Sequence, residues 1–336
     1  MIRLRQQELR SHFATVMVAI TIVAVAAFAL RTIEASFVEA HATTLPEEQP
    51  DIRVGLYPTD DAVRVRCSGA YRVMSGGNEL FKRPAESSVK LRAVDGSYVA
   101  RVGTAVRRSA KPIRLVPTKP AQTICTILNY ENRPTWNTEL NDNAFRGILE
   151  LHHAEATGST WVIEELPLEQ YLYGVAETSN TAPRAFAKAL IAAERTYALY
   201  HIQTNTKHAA EYFHVGATSA DQVYRGYGYE QRSPRIRQFV DETRGKIVTY
   251  EGDLAITPYF SRSDGRTRSW DEVWAGSAKP WLVSVPDPCC TSYDGLFGHG
   301  VGMSAQGALW FATEKDWNWK RILTYYYTDS AIADLY

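Results

Sequence analysis

The chain has 336 residues, 45% of them hydrophobic and 22% charged, enough to build roughly two cored domains. Its 37 basic and 37 acidic side chains cancel. That balance lacks the basic excess of a nucleic-acid binder, so no nucleic-acid partner is expected, and the absence of internal repeats excludes a solenoid.

Residues 13–30 form an uncharged run of 18, preceded by Arg3, Arg5 and Arg10 and followed by Arg31 and Glu34. Eighteen apolar residues sit at the short end of what spans a bilayer. The basic flank predicts a cytoplasmic tip and transmembrane signal-anchor over residues 1–35, a membrane partner through this helix, and all later residues outside the cytoplasm. Ala27-Phe28-Ala29 has the small-x-small form of a signal peptidase site, so secretion after cleavage is the alternative. Residues 36–50, polar with two prolines, read as a linker.

From 51 to 130 the sequence runs in short alternating strands, with Asp95-Gly96 as a hairpin turn between two of them. This predicts a small β-rich domain. Cys67 and Cys125 each fall in a strand-like run, but four cysteines allow three pairings, so their bond stays open at this point. Cys289 and Cys290 are adjacent, a geometry that seldom bonds to itself. No C-x-x-C or H-E-x-x-H spacing supports a metal site.

Residues 129–143 read as a connection, and residues 144–154 and 160–166 as two strands joined around Thr157-Gly158. A short amphipathic segment then leads through a bend carrying Glu177 into a helix. Pro183 suits its first turn, Asn180 and Thr181 can cap it, and Phe186, Leu190, Ala193 and Tyr197 recur at helical spacing. A second helix opens at Ser233-Pro234 and is closed by Gly245. The chain ends in a glycine-rich loop, Gly298-His299-Gly300-Val301-Gly302, running into a helix, and in a final tyrosine-rich helix.

Four polar groups are candidates for chemistry: Glu177; Lys188 with Arg195 and Tyr197; Gln222 with Tyr224; and Ser261, Ser263 and Thr267 with His299. The glycine loop lets a ligand approach the backbone but lacks phosphate-loop spacing. No G-x-S-x-G elbow surrounds Ser263. The eight Trp and 19 Tyr can stack on sugar rings, although most such residues serve the core.

Eight blocks occur in the order of one known family, among them LPLEQYLYGV (166–175), AERTYALY (193–200), QVYRG (222–226), YFSRSDGRTRSWDEVW (259–274) and GHGVGMSAQGA (298–308). From about residue 144 to the C-terminus the chain resembles the SpoIID/LytB domain, the family of stage II sporulation protein D and the amidase enhancer. The resemblance implies an α+β fold of mixed helices and antiparallel strands over 144–336, after the β-rich 51–130. It implies a peptidoglycan lytic transglycosylase acting outside the cell on glycan strands lacking stem peptides, with one glutamate and no cofactor. The family's glutamate precedes a helix-start proline by six positions, as Glu177 precedes Pro183, although the bend is two residues shorter and Thr178-Ser179 replace Met-Pro. Substrate-binding roles carry onto Lys188, Arg195, Tyr197, Gln222, Tyr224, Ser263, His299 and Gln306. Some members hold zinc before the QVY block. Here Gly216 and Asp221 stand where cysteines would fall, and no metal is expected. A cell-wall amidase is the implied protein partner, and a non-catalytic, wall-binding amidase enhancer is the alternative function.

Overall fold

Twelve strands come first: β1 (Asp51–Pro58), β2 (Val63–Cys67), β3 (Tyr71–Ser75), β4 (Asn78–Arg83), β5 (Ser88–Val94), β6 (Ser97–Val102), β7 (Ala105–Ser109), β8 (Ile113–Pro117), β9 (Cys125–Ile127), β10 (Ala144–Phe145), β11 (Ile148–Ala154) and β12 (Ser159–Pro167). This computed structural model describes residues 45–336 apart from 47, 95 and 291–294. The expected membrane anchor and most of the linker lie outside the described residues. Among the described residues no helix is long and apolar enough to cross a membrane.

The helical part follows: α1 (Leu168–Gly174), α2 (Arg184–Thr204), β13 (Val215–Gly216), α3 (Gly226–Arg232), α4 (Pro234–Glu242), β14 (Lys246–Tyr250), β15 (Asp253–Leu254), β16 (Tyr259–Phe260), α5 (Trp270–Val273), β17 (Met303–Ser304), α6 (Ala305–Glu314), α7 (Trp319–Tyr326) and β18 (Ala331–Asp334). The class is α+β, with mainly antiparallel sheets. One sheet orders its strands β13-β1-β12-β11-β8-β3-β4, another β10-β9-β2-β5-β6-β7. β1 pairs with β12 and β9 with β10, so strands from 51–130 and from 144–167 share both sheets. Two small sheets, β15-β14-β18 and β16-β17, brace the helices.

Strand alternation explains the six-stranded sheet. In β2, Val63, Val65 and Cys67 are buried while Arg64 and Arg66 face solvent, and β5 alternates in the same way. Cys67 and Cys125 are register partners on β2 and β9 and form a disulfide. Cys289 is disulfide-bonded as well, and no described cysteine is free. The Cys67–Cys125 bond closes a sequence separation of 58. Replacing both cysteines with alanine is expected to lower the unfolding free energy by about 2–4 kcal/mol, read by urea denaturation.

The strand expected over 144–154 is broken in two by Gly147. It sits at φ 63°, and a Cβ there would lie 2.3 Å from the Glu165 carbonyl oxygen. Helix α2 is the central helix, with Leu190, Ala193 and Leu199 fully buried. Its start differs from expectation. Pro183 is the residue before the first turn, and no side chain caps it. Asn180 instead accepts a hydrogen bond from the Arg235 N–H at 2.8 Å, which ties the bend to α4.

Candidate active site

The bend after α1 is laid against the chain that enters α3. The Ala176 N–H donates to the Val223 carbonyl at 2.7 Å, and the Arg225 N–H donates to the Gly174 carbonyl at 2.8 Å. Only glycine fits at 174, where a Cβ would sit 2.6 Å from the Tyr224 ring. Tyr229 clamps the far side of the bend, its hydroxyl donating to the Thr178 carbonyl at 2.6 Å. This double anchoring turns the Glu177 carboxyl into a cavity of about 870 Å³, whose walls include Tyr197, His201, Tyr259, Phe260, Trp270, Trp274 and His299.

Glu177 Oε1 accepts the Val223 N–H at 2.7 Å, and the Tyr259 hydroxyl hydrogen-bonds the same carboxyl. Burial raises its pKa, the two hydrogen bonds lower it, and the balance is upward. Gln222 orients Tyr259. Its Nε2 donates to the Tyr259 oxygen at 3.1 Å while its Oε1 accepts from Tyr171 at 3.0 Å, so the Tyr259 proton is left to point at Glu177. Glu194, buried in α2, is pushed well above the ordinary carboxyl value by burial and by the charge of Glu177.

One end of the cavity is polar. Asp221 accepts from the Tyr197 hydroxyl at 3.1 Å, from His208 Nε2 at 2.8 Å, from the Gly216 N–H at 2.8 Å and from Lys207. Burial alone would raise Asp221, but these donors hold it far below the usual range, and the Asp221 bond in turn raises His208. Asp221 thus gathers the loop 207–222 through hydrogen bonds. Among the described residues no group of three or more His, Cys, Asp or Glu side chains is arranged to hold a metal ion.

The other end is aromatic. Trp274 lies 4.8 Å from His299 and 4.6 Å from Trp270, ring centre to ring centre. The glycine loop reaches this wall because β16 and β17 pair side by side. At Gly302, φ is 78° and a Cβ would lie 2.1 Å from the Pro258 carbonyl oxygen. His299 Nδ1 accepts the Val301 N–H at 3.1 Å, and burial lowers its pKa, so the ring is neutral.

Of the residues singled out in the sequence, Glu177, Tyr197, Ser261 and His299 meet in this cavity. Gln222 is fully buried one layer behind, where it holds Tyr259. Four residues lie off the cavity. Lys188 pairs with Glu242 at 2.7 Å, and Arg195 is fully buried against Glu169 at 2.8 Å. Tyr224 is buried and stacks on Tyr171, and Ser263 is buried in a turn with its hydroxyl accepting from the Gly265 N–H at 3.2 Å. Gln306 is exposed, and its backbone N–H donates to the Ser261 carbonyl at 3.0 Å, beside the rim. The sequence reading missed Tyr259, His201 and Glu194, and noted Asp221 only as standing where a metal-binding cysteine would fall. Tyr259 and Asp221 lie inside or beside the blocks 259–274 and 222–226, which is the signal that pointed near them.

A half-buried carboxyl with a donor held against it, facing aromatic walls, defines a cleft suited to a ring-bearing ligand. Residues 156–250 match the family model SpoIID, stage II sporulation protein. It is 30% identical over 138 residues to stage II sporulation protein D of Bacillus subtilis, covering 38% of this chain and 40% of that protein. An uncharacterized protein of Brachyspira hyodysenteriae is 37% identical over 133 residues, covering 39% of this chain and 35% of that one. The amidase enhancer of Bacillus subtilis is 33% identical over 100 residues, covering 30% of this chain and 12% of that protein. The matches therefore span two fifths or less of these relatives' lengths.

Proposed function

We propose that the chain is a peptidoglycan lytic transglycosylase with Glu177 as its single acid and base. The observation that carries this is the raised, half-buried Glu177 carboxyl facing a cavity with no second carboxylate placed beside it as a ligand-facing partner among the described lining residues, Asp221 being tied up by four donors. Hydrolytic glycosidases use two carboxylates. One is enough when the nucleophile is the 6-hydroxyl of the substrate's own muramic acid. Glu177 protonates the glycosidic oxygen as the C1–O bond breaks. The 6-hydroxyl oxygen then bonds to C1 and gives its proton to the Glu177 carboxylate, which restores the acid without consuming water.

The aromatic wall suits the apolar faces of sugar rings. The names of the relatives, stage II sporulation protein D and amidase enhancer, support work on the cell wall. The Cys67–Cys125 bond supports a site outside the cytoplasm, where disulfides persist. Purified chain alone should release soluble fragments from glycan strands stripped of stem peptides. Intact strands would refute the proposal.

Tyr259→Phe removes a donor that favours the charged form of Glu177, so the Glu177 pKa should rise further. The alkaline limb of the pH–rate profile is expected to move to higher pH while the acid remains in place. An unmoved limb would disconnect Tyr259 from the acid.

A second reading rests on the match to the amidase enhancer. In it the cavity binds glycan without cutting and a separate wall amidase works faster. Stimulation of a purified amidase by the Glu177→Gln variant at the wild-type level, with no cleavage by either form, would favour it.

A further inference from the structure

The zero net charge of the chain conceals a strong segregation. Residues 51–130 carry 14 Lys and Arg against six Asp and Glu. The sheet β10-β9-β2-β5-β6-β7 buries one face, and the other carries six of these cations: Arg64, Arg66, Lys90, Arg92, Arg101 and Arg108. Arg64 on β2 is the register partner of Lys90 on β5, and Lys90 is the partner of Arg101 on β6. Three cations thus stand side by side on three neighbouring strands, all exposed. A second row runs Arg92, Val99, Arg108 across β5, β6 and β7. Among the described residues the carboxylate that pairs with a cation of this face is Glu86, at 3.6 Å from Arg66. Among the described residues Arg64, Lys90, Arg92, Arg101 and Arg108 have no ion pair.

Like charges placed directly opposite on adjacent strands destabilise a sheet. Lysine and arginine do guard sheet edges against aggregation, but Lys90 and Arg101 sit on interior strands of this sheet, where no edge needs guarding. A cationic array kept at a cost to the fold calls for an anionic partner. Its shape indicates which one. Strands about 4.8 Å apart make a broad face, with Val99 and Val106 half-exposed among the charges. A face of this kind, cations around small apolar side chains, matches an interface of lipid headgroups and acyl chains better than a single wound polymer.

We propose that the exposed face of β2-β5-β6-β7 docks on an anionic phospholipid surface, with Arg64, Lys90, Arg92, Arg101 and Arg108 contacting headgroup phosphates. The proposal stands apart from the glycan chemistry and survives if that fails.

The full chain in nanodiscs of phosphatidylcholine, with or without about 30 mol% phosphatidylglycerol, tests it. A water-soluble amine reagent reports the exposure of Lys90, with exposed Lys315 as the internal control. Lys90 should label at least about fivefold more slowly in anionic discs, and the protection should vanish in about 0.5 M salt. The variant Arg64→Gln/Arg92→Gln/Arg101→Gln/Arg108→Gln keeps Lys90 as reporter and should lose the protection. Its unfolding midpoint should not fall, because the changes relieve repulsion. Equal labelling in the two lipids would overturn the proposal. So would protection in neutral discs by soluble poly(glycerol phosphate), which would assign the face to a free polymer. Protection that rises with protein concentration in neutral discs would assign it to a second copy, and would overturn it equally.

Discussion

Glu177→Gln should reduce glycan cleavage by about 10²–10⁴-fold while the protein stays folded and binds glycan. The amide keeps the length of the side chain and an oxygen to accept the Val223 N–H, which the wild-type carboxyl holds at 2.7 Å. What it loses is the proton. The acid is matched to its task by burial, which lifts it above the ordinary value, and Val223 and Tyr259 limit that rise. The required form is protonated, so wild-type rates should fall as pH climbs through the raised Glu177 value. Residual cleavage in the variant should lack that limb. A variant with wild-type rate would remove Glu177 from the chemistry, and one that no longer binds glycan would make it a binding residue.

Arg195→Met should cost about 3–5 kcal/mol of stability, the usual loss when one partner of a buried ion pair is deleted. Arg195 donates to both oxygens of Glu169, from Nε at 2.9 Å and from NH2 at 2.8 Å, and also to the carbonyls of Lys246 and Val240. Neither side chain of the pair reaches solvent to any useful extent. Met fills the volume but leaves a buried carboxylate with only the Gly245 N–H and the Tyr336 hydroxyl. The sign of the pH dependence follows. Burial would raise Glu169, but the charge of Arg195 and its hydrogen bonds bring it below its ordinary value. This pair therefore contributes stability above the unfolded Glu value, near 4.3, and loses it as pH falls through the depressed folded value. The gap between wild type and variant should be full at neutral pH and narrow in acid. Urea denaturation at several pH values reads it. The double variant Glu169→Leu/Arg195→Met should recover much of the loss, since an apolar pair replaces the stranded charge. A small stability change with a large loss of glycan affinity would instead return Arg195 to the ligand-binding role that the sequence suggested.

Arg195 shows where sequence reading falters. The block AERTYALY marked Arg195 and Tyr197 equally, two residues apart on one helix. Two residues on a helix are about 200° apart, so one faces the cavity and the other the opposite side. Sequence spacing stated that they diverge but not which one meets the ligand. The shortened bend at Glu177 raised the reverse problem. Its competence depends on Gly174 lying against Tyr224 and on Val223 offering an N–H, contacts between segments some fifty residues apart that no local pattern encodes. Local features were legible: the strand alternation, the hairpin at Gly96, the left-handed Gly245 (although α4 ends earlier, at Glu242, with Thr243 as its cap), and the apolar stripe of α2. The basic sheet face was hidden because the charge sum was taken over the whole chain. Only strand register shows that Arg64, Lys90 and Arg101 stand in one row.

Mass spectrometry of glycan fragments produced by the full chain, beside those from Glu177→Gln, tests the central claim most directly. Ring closure by the 6-hydroxyl yields muramic acid ends lighter by one water than hydrolysis yields, so the two chemistries separate by mass alone. The account predicts 1,6-anhydro ends from wild type and about 10²–10⁴-fold fewer from the variant. Reducing ends carrying the added water would contradict a one-carboxylate transglycosylase, and unbroken strands from both proteins would contradict catalysis altogether.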